Sequence, residues 1–285
     1  MITARAIVLA RGLGTRMRAS DPTTRLTPEQ QRAADAGLKA MIPLNGRPFL
    51  DYILGSLADA GIRHVALVVS PDHQALRDYY SASPPERVRL DYVIQKSPLG
   101  TADAVRVAEP WVSGEPFLAM NGDNLYPVPV LTQLAAMSEP GLPIFERDDL
   151  LASSNIPAER IRSFAFLDID EQGCLTRIVE KPNQELPLTN KELPPKGGSH
   201  GGSHAGSAKY ISMNCWRLDE RIFQACREVP LSDRGEFELP EAVGVALRQG
   251  VRFRTFAARG PVLDLSTRAD ATDVARRLAG IIPRP

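Results

Sequence analysis

Several residues have types and spacings suited to chemistry on a phosphate ester. Leu9-Ala10-Arg11-Gly12-Leu13-Gly14-Thr15-Arg16 sets two glycines and an arginine directly after an apolar run. A glycine turn lets backbone N–H groups approach phosphate oxygens, and a planar guanidinium matches those oxygens. G-x-G alone is equally the pattern of a tight turn. Met17 stands where a dinucleotide loop has its third glycine, and the G-x-x-x-x-G-K-[ST] P-loop pattern is absent. Thr15-Arg16, with Lys39 and Pro43 downstream, tips the reading toward phosphate. Asp123, closing Asn121-Gly122-Asp123, and Asp264, following Pro261-Val262-Leu263, are hard oxygen donors suited to a divalent cation. A carboxylate in apolar surroundings is costly unless paired or metal-bound. The Gln95 amide is able to make bidentate hydrogen bonds to a base edge.

Elements must bring these distant residues together. Arg5 to Leu9, Val65 to Val69, Leu90 to Ile94 and Phe117 to Met120 read as strands. Pro48 to Ala60, closed by Gly61, reads as a helix. Asp72 is the expected N-cap of a helix through Tyr80, and Thr101 to Glu109 is expected as another. Such alternation predicts a parallel sheet covered on both faces, with ligands beyond the carboxyl ends of its strands. The glycine loop and the Asn-Gly-Asp turn both follow strands, so they should converge on one crevice. Further on, Ser163 to Asp168 and Leu175 to Val179 predict a hairpin, and Tyr210 to Trp216 a strand. Leu239 to Gln249 predicts a helix, Val251 to Ala257 a strand, and Ala269 to Ile281 a terminal helix. Residues 17 to 38 form an insertion in which Thr27 and Pro28 open a short helix. Residues 194 to 208 are a glycine- and serine-rich loop.

Lys+Arg and Asp+Glu each number 34, so the net charge is zero. Nothing in that balance favours nucleic acid or an anionic membrane. The apolar run near residue 9 is too short for a signal segment or a span, and a cytoplasmic protein is expected. Cys174, Cys215 and Cys226 are too few and too scattered for a disulfide framework or zinc. His200 and His204 are expected to be solvated loop residues, and Trp111 and Trp216 to be core.

With G-x-G-T-R followed by Lys39-x-x-x-Pro43, the chain resembles the sugar-1-phosphate nucleotidylyltransferases. Gln95 with Pro98-Leu99-Gly100-Thr101-Ala102, Asn121-Gly122-Asp123, Glu180-Lys181-Pro182, Gly235-Glu236-Phe237-Glu238-Leu239 and Leu263-Asp264 follow in the family's order. The match covers residues 4 to about 270. Two features depart from it: Arg11 stands where the family has a small residue, and the loop from Arg16 to Lys39 is long.

The resemblance implies a Rossmann-like α/β fold with a mixed, mostly parallel central sheet. The chain would form one domain, with residues 1–125 as nucleotide half and 126–285 as sugar-phosphate half with a C-terminal helix. It implies transfer of a nucleotidyl group from a nucleoside triphosphate, UTP or dTTP favoured, to a sugar 1-phosphate, with release of pyrophosphate. Leu9, Gly12, Gly14, Thr15, Gln95, Gly100 and Thr101 would hold the nucleotide, with the Gly100 backbone against the base. Arg16 and Lys39 would meet its phosphates. Asp123 and Asp264 would hold Mg²⁺, with Mn²⁺ as a substitute. Glu180, Lys181 and Asn214 would hold the sugar phosphate, with Glu236 a further candidate. Homo-oligomerisation is compatible with this reading. Two rivals are kept: a non-catalytic sugar-nucleotide-binding regulator, sustained by Arg11, and an NAD-dependent oxidoreductase. The missing third glycine disfavours the second. Arg11 is expected to reach a phosphate, or a carboxylate of the insertion such as Asp21 or Asp35.

Overall fold

The computed structural model describes residues 3–12, 14–19, 21, 24–179 and 210–285. Ten strands form its main sheet. They are β1 Arg5–Leu9, β2 His64–Val69, β3 Arg89–Ile94, β4 Phe117–Asn121, β5 Gly141–Glu146, β6 Ala165–Ile169, β7 Leu175–Val179, β8 Tyr210–Ser212, β9 Cys215–Leu218 and β10 Arg254–Ala258. The order is β7-β6-β8-β5-β9-β4-β1-β2-β3, with β10 paired to β5. β4, β1, β2 and β3 form a parallel block, whereas β7, β8 and β9 run against their neighbours. The sheet is therefore mixed and continuous through both halves of the chain.

The centre of β1, Ala6, Ile7 and Val8, is inaccessible to solvent, because helices cover both faces. The helix Phe49–Asp59 packs its many apolar residues on one side. The helices Thr101–Val107, Arg221–Glu228 and Leu239–Arg248 close the other. Gly61 adopts φ +92° after the first of these helices, the left-handed turn that a side chain would oppose. Among the described residues no helix is long and apolar enough to cross a membrane.

Some elements differ from the sequence expectation. Tyr210 to Trp216 is two strands, because Asn214 turns the backbone at φ +56° and passes the chain from one partner to another. The helix after β2 begins at Gln74 with His73 as N-cap and no side-chain cap bond, so Asp72 does not cap it. The helix Val128–Ala136, the strand β5 and the helix Arg221–Glu228 carry no expectation above. The insertion does hold a helix, Pro28–Asp35, and Thr27 and Gln30 close a reciprocal capping box at its start. All three cysteines are free and buried. The loop 194–208, with His200 and His204, lies outside the described residues.

Candidate active site

The chain leaves β1 toward β2 and β3 and later returns to its other side as β4. A crevice beyond the carboxyl ends of β1 and β4 is the topological switch point where α/β sheets bind ligands. A cleft of about 280 Å³ opens there. Leu9, Gly12, Gly14, Thr15, Arg16, Lys39, Gln95, Gly100, Thr101 and Asp123 all line it, as do Arg11 and Glu236. Two glycines set its floor by close approach. The Gly122 N–H donates to the Leu9 carbonyl at 2.9 Å, and a Cβ on Gly122 would sit 3.0 Å from that oxygen. Gly14, at φ +61°, lies so near Gly37 that a Cβ would come 2.6 Å from the Gly37 carbonyl oxygen.

Cations and carboxylates are already paired. Lys39 sits on a single turn of 3₁₀ helix, Lys39–Met41, and its Nζ is 2.9 Å from Asp123 Oδ2. Asp264 belongs to a two-stranded ribbon in which Leu263–Asp264 pairs with Asn124–Leu125. The Leu265 N–H donates to the Asp123 carbonyl at 2.9 Å, which fixes the two aspartates as neighbours. Asp264 is buried, and both its oxygens accept bonds: Oδ1 from Arg160 Nη1 at 2.6 Å and Oδ2 from Asn124 Nδ2 at 3.0 Å. Burial, then the charge of Asp123, push its carboxyl above the ordinary range. Arg160 also makes two bonds to Asp270, at 3.0 and 3.1 Å. Asp123, at the cleft wall, fits a metal that takes most of its other ligands from phosphate oxygens. Asp264, held by Arg160 and Asn124 and absent from the cleft lining, does not fit as a ligand in this arrangement. Among the described residues no group of three His, Cys, Asp or Glu side chains is arranged for a metal.

The wall expected to face a base is an interlocked set of bonds. Gln95 Nε2 donates to the Gly100 carbonyl at 3.0 Å and to Asp103 Oδ2 at 2.8 Å. Both amide hydrogens are thereby used, so the expected bidentate contact is replaced by a single acceptor, Oε1. Gly100, at φ +100°, is required by the backbone of Phe237: a Cβ would come 2.5 Å from the Phe237 carbonyl oxygen. The expected reason, intrusion on the base, is not what this geometry displays. Thr101 Oγ1 accepts the Leu239 N–H at 2.8 Å and so ties the wall to the helix that follows. Arg11 reaches neither Asp21 nor Asp35. It is buried, and it donates from Nε to the Gln95 carbonyl at 3.0 Å and from Nη2 to the Lys96 carbonyl at 3.3 Å. Those carbonyls point at the glycine loop across the end of the sheet and supply the acceptors that a buried guanidinium needs.

Other expected residues lie elsewhere. Asn214 is at the β8–β9 turn, with Oδ1 buried and without a partner among the described residues, and it does not line the cleft. Glu180 and Lys181 lie outside the described residues. Trp216 is fully buried, and Trp111 Nε1 donates to Asp91 at 2.9 Å. A larger cavity, about 870 Å³, lies between the helix Phe49–Asp59 and residues 277–284. It holds neither the glycine loop nor Asp123, so size alone does not mark the reactive site. Arg160, Asn124 and Asn155, which fix Asp264, and Arg268, which anchors the insertion, escaped the sequence reading. Their roles are long-range pairings with no local spacing to betray them.

Fold and cleft together define a nucleotide-handling α/β protein, and the family profile described as "Nucleotidyl transferase" matches residues 5–275. The chain belongs to that family. It is 24% identical over 273 residues to the UTP–glucose-1-phosphate uridylyltransferase AglF of Haloferax volcanii, 96% of each chain being covered. It is 24% identical over 258 residues to the low-salt glycan biosynthesis nucleotidyltransferase Agl11 of the same organism. The chain spans 60% of the length of Agl11 and 47% of that of a bifunctional GlmU protein of Methanococcus maripaludis. The crystal structure of UDP-glucose pyrophosphorylase complexed with UDP-glucose superposes with a TM-score of 0.71 at 20% identity, covering 97% of this chain and 98% of that one. At that identity the likeness concerns the fold.

Proposed function

We propose that this protein joins a nucleoside triphosphate to a sugar 1-phosphate, giving a nucleoside diphosphate sugar and pyrophosphate. The observation that carries the proposal is the convergence of Arg16, Lys39 and Asp123 on one cleft at the β1/β4 switch point. A sugar-phosphate oxygen attacks the α-phosphorus, a new P–O bond forms, and the bond to the pyrophosphate leaving group breaks. Both reactants are anions, so the chain's first task is to offset repulsion and its second is to hold them in line. Arg16 meets the outer phosphates, and Lys39 neutralises charge near the α-phosphorus. The backbone from Gly12 to Thr15 cradles the phosphates. Gln95 Oε1 accepts from a ring N–H, which suits uracil and thymine and disfavours adenine. Asp123 is the carboxylate that would hold Mg²⁺, with Mn²⁺ as substitute, together with triphosphate oxygens; the cation supplies charge stabilisation on the transferring group. Asp264 serves this centre from behind, through the ribbon that positions Asp123. Glu180 and Lys181 are proposed to bind the sugar phosphate.

The names of the relatives make UTP and glucose 1-phosphate the first pair to try. The regulatory alternative loses its motive, because Arg11 has structural partners and need not obstruct the nucleotide. A matrix of UTP, dTTP, ATP and GTP against hexose 1-phosphates, read as pyrophosphate, tests the proposal. Turnover by at least one pyrimidine pair, requiring both substrates, is expected. Pyrophosphate from no pair, or a higher specificity constant for ATP than for UTP and dTTP, would contradict it.

A further inference from the structure

Each carboxylate expected at the metal centre is held by a cation of the chain itself. Asp123 is paired with Lys39 at 2.9 Å, and these side chains are 26% and 16% exposed. Asp264 is paired with Arg160 at 2.6 Å, and here the exposures are 4% and 12%. The two pairs differ in what else restrains the cation. Among the described residues Lys39 Nζ bonds to no side chain besides Asp123, and Lys39 lines the open cleft where a triphosphate would lie. Arg160 is held by three charge-assisted bonds, two of them to Asp270. Asp270 is fixed in turn by the backbone N–H groups of Ser266 and Thr267 at 3.0 and 2.7 Å. A polyanion in the cleft competes for Lys39, which lines it, but not for the half-buried Arg160, which does not line it and whose release would strand two buried carboxylates.

Resting on the nucleotidyl-transfer reading, we propose that the metal centre is closed in the nucleotide-free protein: Lys39 occupies Asp123 until a triphosphate draws it away, and Arg160 keeps Asp264 out of the coordination sphere throughout. The divalent cation then enters with the nucleotide, through Asp123 alone. Lys39 is thus a positioning residue for the metal as well as a phosphate ligand, and Arg160 is the reason that a family position expected to bind metal does not.

The test is Mn²⁺ binding to the nucleotide-free protein, followed by the electron-spin-resonance signal of free Mn²⁺, which needs no turnover. Lys39→Met removes a cation beside Asp123 from a partly exposed pair, so the variant should fold. It should bind Mn²⁺ at least about tenfold more tightly than the wild type, given the size of a unit charge at this range. Adding Asp123→Asn to Lys39→Met should erase the gain. Asp264→Asn in the wild type should leave Mn²⁺ affinity unchanged, and thermal melting would show that each variant is folded. No tightening in Lys39→Met, or weaker Mn²⁺ binding in Asp264→Asn, would overturn the proposal. A protein that fails every substrate pair yet shows the predicted Mn²⁺ pattern would sink the proposed reaction and leave this inference standing. Active enzyme without that pattern would do the reverse.

Discussion

At the scale of single residues, the proposed reaction separates groups that would face the ligands from groups that build the cleft wall. Asp123 belongs to the first kind. Asp123→Asn keeps the size of the side chain and removes its charge, so kcat should fall at least about a hundredfold. Its pair with Lys39 is partly exposed and contributes little to stability, so the melting temperature should barely move. An active Asp123→Asn enzyme would remove this residue from the account. Arg11 belongs to the second kind. Burial holds its guanidinium below the ordinary value against the opposing pull of Asp72 and Asp103, and its bonds go to backbone carbonyls. Arg11→Met should cost about 2 kcal/mol of stability, the worth of hydrogen bonds from a charged donor. It should also raise the KM for the nucleotide about tenfold with a smaller change in kcat, since it loosens a binding wall and touches no reacting atom. Unchanged stability with a large loss of kcat would return Arg11 to the phosphates. This distinction was not legible in the sequence. Arg11 follows a strand and precedes two glycines, a position that suggests phosphate, and its acceptors lie 84 and 85 residues away.

At the scale of elements, the insertion after the glycine loop is anchored to the far end of the chain. Arg268, in the first turn of the helix Arg268–Arg277, donates to the Met17 and Arg18 carbonyls at 3.0 and 3.3 Å, and to Asp35 Oδ1 at 2.7 Å. The Gln31 amide and then Arg268 hold the Asp35 carboxyl below its usual range. Arg268→Ala should therefore free residues 17 to 38, speeding their cleavage by trypsin and raising the nucleotide KM. Cleavage no faster than in the wild type would mean that this clamp is idle. A second element-level prediction concerns pH. Burial, then the nearby Arg11, hold the His73 imidazole below its ordinary value of 6.5, and His73 Nδ1 is buried without a partner among the described residues. The unfolded chain then binds this proton more readily than the folded one. The stability concerned is complete above about pH 6.5 and is lost as pH falls through the lower folded value. His73→Gln should flatten the fall of melting temperature below pH 6.5, and an unaltered slope would contradict it. The parallel strands and the capped helix at Pro28 were legible, because buried apolar runs and a Thr-Pro-x-Gln cap are local signals. β5, with its Gly-Leu-Pro start, was not, since its length and pairing depend on β8, β9 and β10 across the sheet.

At the scale of the whole molecule, one mixed sheet carries a parallel block and a largely antiparallel second side, and the cleft opens where the strand order reverses. The meeting of the glycine loop and Asp123 was legible from the rule that loops after parallel strands converge, whereas Lys39 and Gln95 were placed with them only by the family resemblance. The partner of Asp264 was not, because Arg160 lies 104 residues away on a short helix that no periodicity announces. The central claim is that a sugar-phosphate oxygen in this cleft attacks the α-phosphorus of a triphosphate. The most direct measurement uses glucose 1-phosphate carrying oxygen-18 in its phosphate with unlabelled UTP and Mg²⁺, read by the isotope shift of the phosphorus resonances. The account predicts that the label ends in the sugar nucleotide, including the oxygen bridging its two phosphorus atoms, that pyrophosphate forms in equal amount without label, and that Asp123→Asn forms both at least about a hundredfold more slowly. Labelled pyrophosphate, or triphosphate breakdown that proceeds without the sugar phosphate, would contradict it.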